Sequence, residues 1–464
     1  MHSIDQLPVV VIGAGPVGLA AAAHLLARDL SPIVLEAGPD IASSVRSWSH
    51  VRLFSPWRYD IDRAAQAMLE QHGWTAPPPD ALPTGHDLVE LYLRPLSRLP
   101  QVAAALRLDA RVVAITRLGR DKIKTAGREG VPFVVRTRSS GGVEQELLAS
   151  AVIDVSGTWG NPNPLGASGL PALGEQAHAD RIHYGIPDIL GRDRQHYDGR
   201  TTLVVGAGHS AANSILALVD LESEQTRVVW ATRGSNLARV YGGSDADGLP
   251  ERGRLGDRLR SLVKSGRLEL VTDFRIGSVG LEHDKVIVRG QGPDGEVVLR
   301  GIERIIAATG QRPDLGVARE LRVETDPALE SVRALGPLID PNEHSCGSVR
   351  PHGEAELRQP EPNYYVVGSK SYGRAPTFLL ATGYEQVRSV VAHIAGDHEA
   401  ARRVELDLPE TGVCSSRPSP GAGGCSTVSS PGAGGCCAPA APKPASSCCG
   451  PALQPRPQPH SACC

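Results

Sequence analysis

The stretch PVVVIGAGPVGLAAAAHLLARDLSPIVLEAG, residues 8–38, decides the fold. Residues 8–12 are a short, unbroken apolar run, as expected of a parallel strand buried on both faces. Gly13, Gly15 and Gly18 then form G-x-G-x-x-G, with Pro16 inside the turn. The alanine-rich residues 17–28 predict a helix able to pack closely on a sheet. Residues 33–35 predict a second strand, closed by Glu36, 21 residues after Gly15. A helix N-terminus in this setting offers free N–H groups and a positive dipole end to a pyrophosphate. An acid at position 36 can accept hydrogen bonds from a ribose. A plain βαβ unit is the alternative for any one of these features. Strand, turn, helix, strand and acid in register point to a bound dinucleotide.

The pattern recurs in TTLVVGAGHSA, residues 201–211, with Gly206, Gly208 and Ala211. His209 and Ser210 open the following helix, expected to run to about residue 221, and are candidates to touch a pyrophosphate. The next apolar run, RVVWATRG, carries Thr232 and Arg233 where the first unit has Glu36. A carboxylate there would repel a 2′-phosphate, whereas a guanidinium pairs with one. The second nucleotide therefore reads as NADP(H). The alternative for Arg233 is a solvated surface arginine, in a chain with 42 arginines and 6 lysines. Two such turns about 190 residues apart read as FAD first and, second, the nicotinamide that reduces it. AVIDVSGTWGNPNPLG (151–166) and RIIAATGQRPD (304–314) are further apolar strands ending in small residues, Gly157 and Gly310. A backbone can approach a cofactor closely there, although ordinary glycine turns after strands look the same.

The 464 residues are enough for more than one core, and 41% hydrophobic with 21% charged residues suits a soluble globular chain. A net charge of −3, with the arginines scattered, gives no reason to expect nucleic acid or an acidic membrane as partner. Residues 7–27 are apolar, but no basic segment precedes them and Gly13, Gly15 and Pro16 interrupt them. They read as strand, turn and helix, not as a signal or a membrane span, which places the protein in the cytoplasm.

These residues resemble the two-dinucleotide-binding-domain flavoproteins, and among them the flavin-containing monooxygenase group, over about residues 5–400. The group's fingerprint F-x-G-x-x-x-H-x-x-x-[FY] is matched by Gly174 and His178, while Ala172 and Ile182 replace its aromatics. SGTWGNPNPLG is similar to the group's S/T-G-x-x-x-x-P-x-x-P stretch. YYVVGSKSYGRAPTFLLATGYEQVRSVV (364–391) resembles the closing flavin-binding strand and helix, with Gly368-Ser369 where many relatives have Gly-Asp. The whole, with its cysteine-containing tail, is also similar to flavoproteins encoded in bacterial arsenic-resistance operons. The resemblance implies an α/β fold of two Rossmann-like three-layer domains, for FAD and NADP, the second inserted in the first. The FAD domain is expected over 1–165 and 311–400 and the NADP domain over 166–310. The chemistry implied is transfer of one oxygen atom from dioxygen to a soft nucleophile: sulfur, nitrogen or trivalent arsenic.

Residues 37–110 depart from βαβ rhythm and contain WSHVRLFSPWRYDID (48–62), which follows Glu36 closely. The segment is expected to cover the flavin, with Arg46, Trp48, Ser55, Pro56 and Trp57 as candidate contacts. A lid of buried aromatics is the structural alternative. Trp48, Ser55 and Arg374 are the candidates nearest the chemistry. Residues 111–116 and 133–138 read as strands of a small meander, and His24 as a packed histidine. No C-x-x-C or C-x₄-C pair occurs before residue 414, which disfavours a dithiol reductase.

Eight of the nine cysteines fall in the last 51 residues. Residues 409–464 are rich in Pro, Gly, Ser and Ala, repeat SPGAGGC at 419–425 and 430–436, and are expected to be a disordered tail. Three vicinal pairs stand in it: Cys436 with Cys437, Cys448 with Cys449, and Cys463 with Cys464. They could supply thiolates to a soft metal or metalloid. The other readings of the tail are a thiol shuttle to the flavin and a neutral extension. Two further functions therefore stay open: an NADPH-dependent flavin reductase or oxidase served by the tail, and a metal-binding thiolate protein on a degenerate flavin fold.

Overall fold

The computed structural model describes residues 4–242, 249–343, 351–376 and 378–406. The chain divides into a unit of Met1–Arg417 and a unit of Pro418–Cys464. The second unit, the tail from residue 409 and Cys346 all lie outside the described residues. The expected thiolate site falls there in full: Cys436, Cys437, Cys448, Cys449, Cys463 and Cys464 are all outside the described residues. Among the described residues, no group of three or more His, Cys, Asp or Glu side chains is placed to hold a metal ion.

Among the described residues, seven strands precede residue 155: β1 (Val9–Ile12), β2 (Pro32–Leu35), β3 (Leu106–Arg107), β4 (Arg111–Arg117), β5 (Phe133–Arg138), β6 (Glu144–Ala149) and β7 (Ala151–Asp154). Next come β8 (Ile182–Tyr184), β9 (Thr201–Val205), β10 (Arg227–Ala231), β11 (Glu269–Val271), β12 (Arg275–Glu282), β13 (Lys285–Gly292), β14 (Gly295–Ile302) and β15 (Arg304–Ala307). β16 (Tyr364–Val366) is the last among the described residues. Two parallel five-stranded sheets result, ordered β16-β7-β1-β2-β3 and β11-β10-β9-β15-β8. Every strand of the second sheet falls in sequence between β7 and β16, which are neighbours in the first. Two antiparallel meanders, β4-β5-β6 and β12-β13-β14, complete the sheets among the described residues.

β1 is buried at all four positions, as its apolar run requires. The helix Pro16–Leu26 follows, with Pro16 at its first position, where a missing N–H costs nothing. It packs on the long helix Leu380–Ile394. His24 is buried on it, its Nε2 3.0 Å from Asp62 Oδ2.

The second sheet shows why a strand buried on both faces serves a three-layer fold. Leu203, Val205, Val229 and Ala231 join a core with Val286 and Val288 of the second meander. Their alternates Val204, Val228 and Trp230 join Ala211, Ile215 and Leu259, from the helices His209–Val219 and Pro250–Lys264. Side chains alternate between faces with period two, so one apolar run feeds both cores.

The half-present fingerprint has a structural account. Gly174 adopts φ +81°, and a Cβ on it would lie 2.1 Å from the Val279 carbonyl oxygen. Leu173 bonds through its backbone to Gly277 and Val279, so this segment docks edge-on to β12. Only glycine fits that approach. Ala172 is buried in the same core, a small residue where the group has a ring.

Candidate functional site

One continuous cavity of about 1540 Å³ runs between the C-terminal ends of the two sheets' central strands. Ligands in open α/β sheets bind there.

Its first half is built by the turn after β1. Gly13 takes φ +106° and donates 2.7 Å to the Leu35 carbonyl, turning the chain over the strand ends. Gly18 is fixed by packing: a Cβ there would lie 1.9 Å from the Gly13 carbonyl oxygen. It does not line the cavity; it lets the helix meet the turn. Gly15 is the reverse case, lining the cavity with nothing within 4 Å of where a Cβ would stand. Open space at a helix N-terminus is what a pyrophosphate needs. Glu36 is buried in the wall. Its Oε2 accepts from the Ala14 N–H at 2.8 Å, and its Oε1 from Gly38 N–H at 2.9 Å and Ser43 Oγ at 3.1 Å. Three donors orient the carboxylate and leave it capacity for a ribose hydroxyl.

Gly157 and Gly368, at φ +72° and +71°, both line the floor of this half. Below them lies a buried pair remote in sequence: Lys370 Nζ is 2.7 Å from Asp154 Oδ2 and 2.9 Å from Ser156 Oγ. Tyr364 also donates to Asp154, and Gln386 accepts from the Gly368 N–H at 2.7 Å. Lys370 thus ties the ends of β7 and β16 together and fixes the floor.

The second half repeats the geometry. Gly206 takes φ +133°, and a Cβ on it would lie 2.2 Å from the Ala308 carbonyl oxygen. Gly208 caps the helix His209–Val219, with nothing within 4 Å of a Cβ. Ala211, in the third-glycine position, is fully buried and does not line the cavity. His209, Ser210, Arg233 and Gly310 do. Arg233 is exposed just beyond β10.

Residues 37–110 form the near wall. Trp48 meets the edge of Trp159 at 6.3 Å, and Phe54 meets the ring of His209 at 5.1 Å, so the wall touches both cradles. Trp48, Ser55 and Arg374 all line the cavity. Pro56 and Trp57 do not: both are buried, and Trp57 belongs to the first core. Arg46 also points away from the cavity. Its Nε donates to the Ile41 carbonyl, and its guanidinium pairs with Asp40 and Glu90. It braces the wall from behind, because two acids compete for it there.

Both cradles fit a dinucleotide, and together they define a flavoprotein oxidoreductase with two nucleotide sites. The chain belongs to the pyridine nucleotide-disulphide oxidoreductase family, whose model matches residues 10–333. It is 26% identical over 227 residues to the flavin-containing monooxygenase FMO GS-OX-like 2 of Arabidopsis thaliana. That match covers 44% of this chain and 45% of the relative, so it spans about half of that protein's length. Among solved structures, the bacillithiol disulfide reductase of Bacillus cereus superposes with a TM-score of 0.63 at 17% identity, covering 84% of this chain and 99% of that one. A mutant flavin monooxygenase from Stenotrophomonas maltophilia gives a TM-score of 0.54 at 22% identity, with 85% and 99% covered. Those two likenesses establish the fold. The chain is thus an oxidoreductase of that family, and its two cradles suit FAD and a pyridine nucleotide. Among the described residues, no helix is long and apolar enough to cross a membrane.

Proposed function

We propose that the chain is an NADPH-oxidising, FAD-dependent monooxygenase whose substrate presents a soft nucleophile, a sulfur, nitrogen or trivalent arsenic centre, with arsenic or metal resistance as its setting. The observation that carries this is a single cavity onto which both open glycine cradles face, lined between them by Trp48, Trp159 and Phe54. The absence of any C-x-x-C or C-x₄-C pair before residue 414 supports oxygen over a dithiol as the electron acceptor. When bound, the flavin supplies hydride acceptance and oxygen activation. The chain's own residues do the rest. Glu36 orients the first ribose, and Gly15 and Gly208 clear room for the two pyrophosphates. Arg233 would pair with the 2′-phosphate, and the aromatic wall would exclude water from the cavity between the two cradles. The tail pairs Cys436 with Cys437, Cys448 with Cys449 and Cys463 with Cys464 are proposed as thiolate donors to a soft metal or metalloid.

Arg233 provides the test of the coenzyme. Arg233→Ala should raise KM for NADPH by about 10- to 100-fold, the worth of a charge-assisted bond, and leave KM for NADH within about twofold. Steady-state kinetics with both coenzymes check this, and an equal rise for both would remove Arg233 from the 2′-phosphate site. Anaerobic NADPH should bleach the bound flavin; a protein that purifies colourless and takes up no FAD would end the proposal.

A further inference from the structure

The wall segment holds a buried acid that nothing above uses. Asp60 is fully buried, and one carboxyl oxygen, Oδ2, has no hydrogen-bond partner among the described residues. The other, Oδ1, lies 2.7 Å from Ser55 Oγ, and Ser55 lines the cavity. Two residues on, Asp62 is served differently: it caps the helix Arg63–Glu70 through the Ala65 N–H and meets His24. Among the described residues, the remaining groups around Asp60 bring no cation. Tyr384, from the helix Leu380–Ile394, donates to the Asp60 main-chain oxygen at 2.8 Å. Tyr92 accepts from the Asp62 N–H. Burial without a counter-charge makes a carboxylate costly to ionise.

We propose that Asp60 acts through Ser55 as a proton-dependent switch of hydrogen-bond polarity at the cavity wall. When Asp60 holds its proton it donates to Ser55 Oγ, and the serine hydrogen turns into the cavity as a donor. When Asp60 is ionised it captures that hydrogen, and Ser55 offers the cavity only lone pairs. The change releases one proton to solvent and moves no electrons. An oxygen–oxygen distance of 2.7 Å serves a hydrogen bond in either direction. Asp60 is a positioning residue here; Ser55 is the group in contact. The wall suits an occupant whose facing atom alternates between acceptor and donor, as a redox-active ring nitrogen does, and in that respect the inference rests on the flavin reading. Burial pushes the Asp60 carboxyl up to about 7, against the hydrogen bond from Ser55, which lowers it, so both states are accessible near neutrality.

The test uses full-length, FAD-loaded protein and infrared difference spectroscopy of the carboxylic acid band across a pH titration. The wild type should lose one buried-acid band with a midpoint of about 7, and Asp60→Asn should lack that band. Ser55→Ala should move the midpoint upward, because it removes the Ser55 hydrogen bond that favours the carboxylate. Ser55→Thr keeps the hydroxyl and should restore the wild-type midpoint, which guards against a poorly folding Asp60→Asn. The flavin absorbance should shift with the same midpoint in the wild type and not in Ser55→Ala. A band that persists in Asp60→Asn, a midpoint that stays or falls in Ser55→Ala, or a flavin spectrum with the same pH dependence in Ser55→Ala would each overturn the switch. The band reports Asp60 with or without flavin, so loss of FAD would defeat the flavin reading and leave this measurement standing.

Discussion

Gly15→Val should yield a folded, colourless protein. The position has φ −79° and ψ −174°, which any residue adopts, and nothing lies within 4 Å of a new Cβ. The side chain therefore meets no protein atom and takes the space above the helix N-terminus. Two lost charge-assisted bonds to a pyrophosphate, at about 1.5–3 kcal/mol each, amount to a fall in FAD affinity of about 100-fold or more. Flavin content after purification, and titration of the stripped protein with FAD, measure it. Gly18→Val, three residues on, should fail differently. Its Cβ would meet the Gly13 carbonyl oxygen at 1.9 Å, backbone that cannot yield, so the fold itself is lost. If Gly15→Val retained FAD at wild-type affinity, the cradle would not be where the nucleotide lies.

Glu361→Gln should destabilise the chain by about 3–5 kcal/mol. Glu361 is buried between two arginines. Arg117 Nε donates to Oε1 at 2.8 Å and Arg128 Nη2 to Oε2 at 2.8 Å, and the Arg322 N–H adds a bond at 3.1 Å. Arg117 also lies 3.6 Å above the Phe133 ring, at the start of β5. The carboxylate thus fastens the β4–β5 loop to the segment that leads into β16. Neutralising it leaves two buried guanidiniums without a counter-charge. Burial acts to raise the Glu361 carboxyl, but the two arginines prevail and hold it below its ordinary value of 4.5. Its contribution is therefore present above pH 4.5 and is lost as pH falls through the folded-state value. Urea denaturation at neutral and acidic pH should show a large gap between wild type and Glu361→Gln that narrows in acid. A midpoint unchanged at neutral pH would mean that the arginines find other partners.

What can be read in advance follows sequence distance. The first cradle is local: Gly13, Gly15, Gly18 and Glu36 lie within 24 residues, and each answers to a backbone or charge requirement visible in the string. The same holds for Gly206 and Gly208. Lys370 with Asp154, and Arg117 with Glu361, are 216 and 244 residues apart, and nothing in either partner's neighbourhood signals the other. Asp60 is legible only as part of a wall, because its isolation depends on what packs around it. The second meander is a different case. Asp294-Gly295 between the runs of β13 and β14 is a hairpin signal that stands in the string itself. Arg46 resembles a cofactor contact because it lies close after Glu36; Asp40 and Glu90 decide its direction instead.

The central claim, that electrons from NADPH reach dioxygen and one oxygen atom reaches a soft nucleophile, is tested most directly by isotope transfer. The FAD-loaded protein is given NADPH and ¹⁸O₂ with a panel of thioethers, amines and trivalent arsenic compounds. At least one compound should accelerate NADPH oxidation and carry one labelled atom per NADPH consumed. NADPH oxidation that none of them accelerates, with no label in any product, would contradict it.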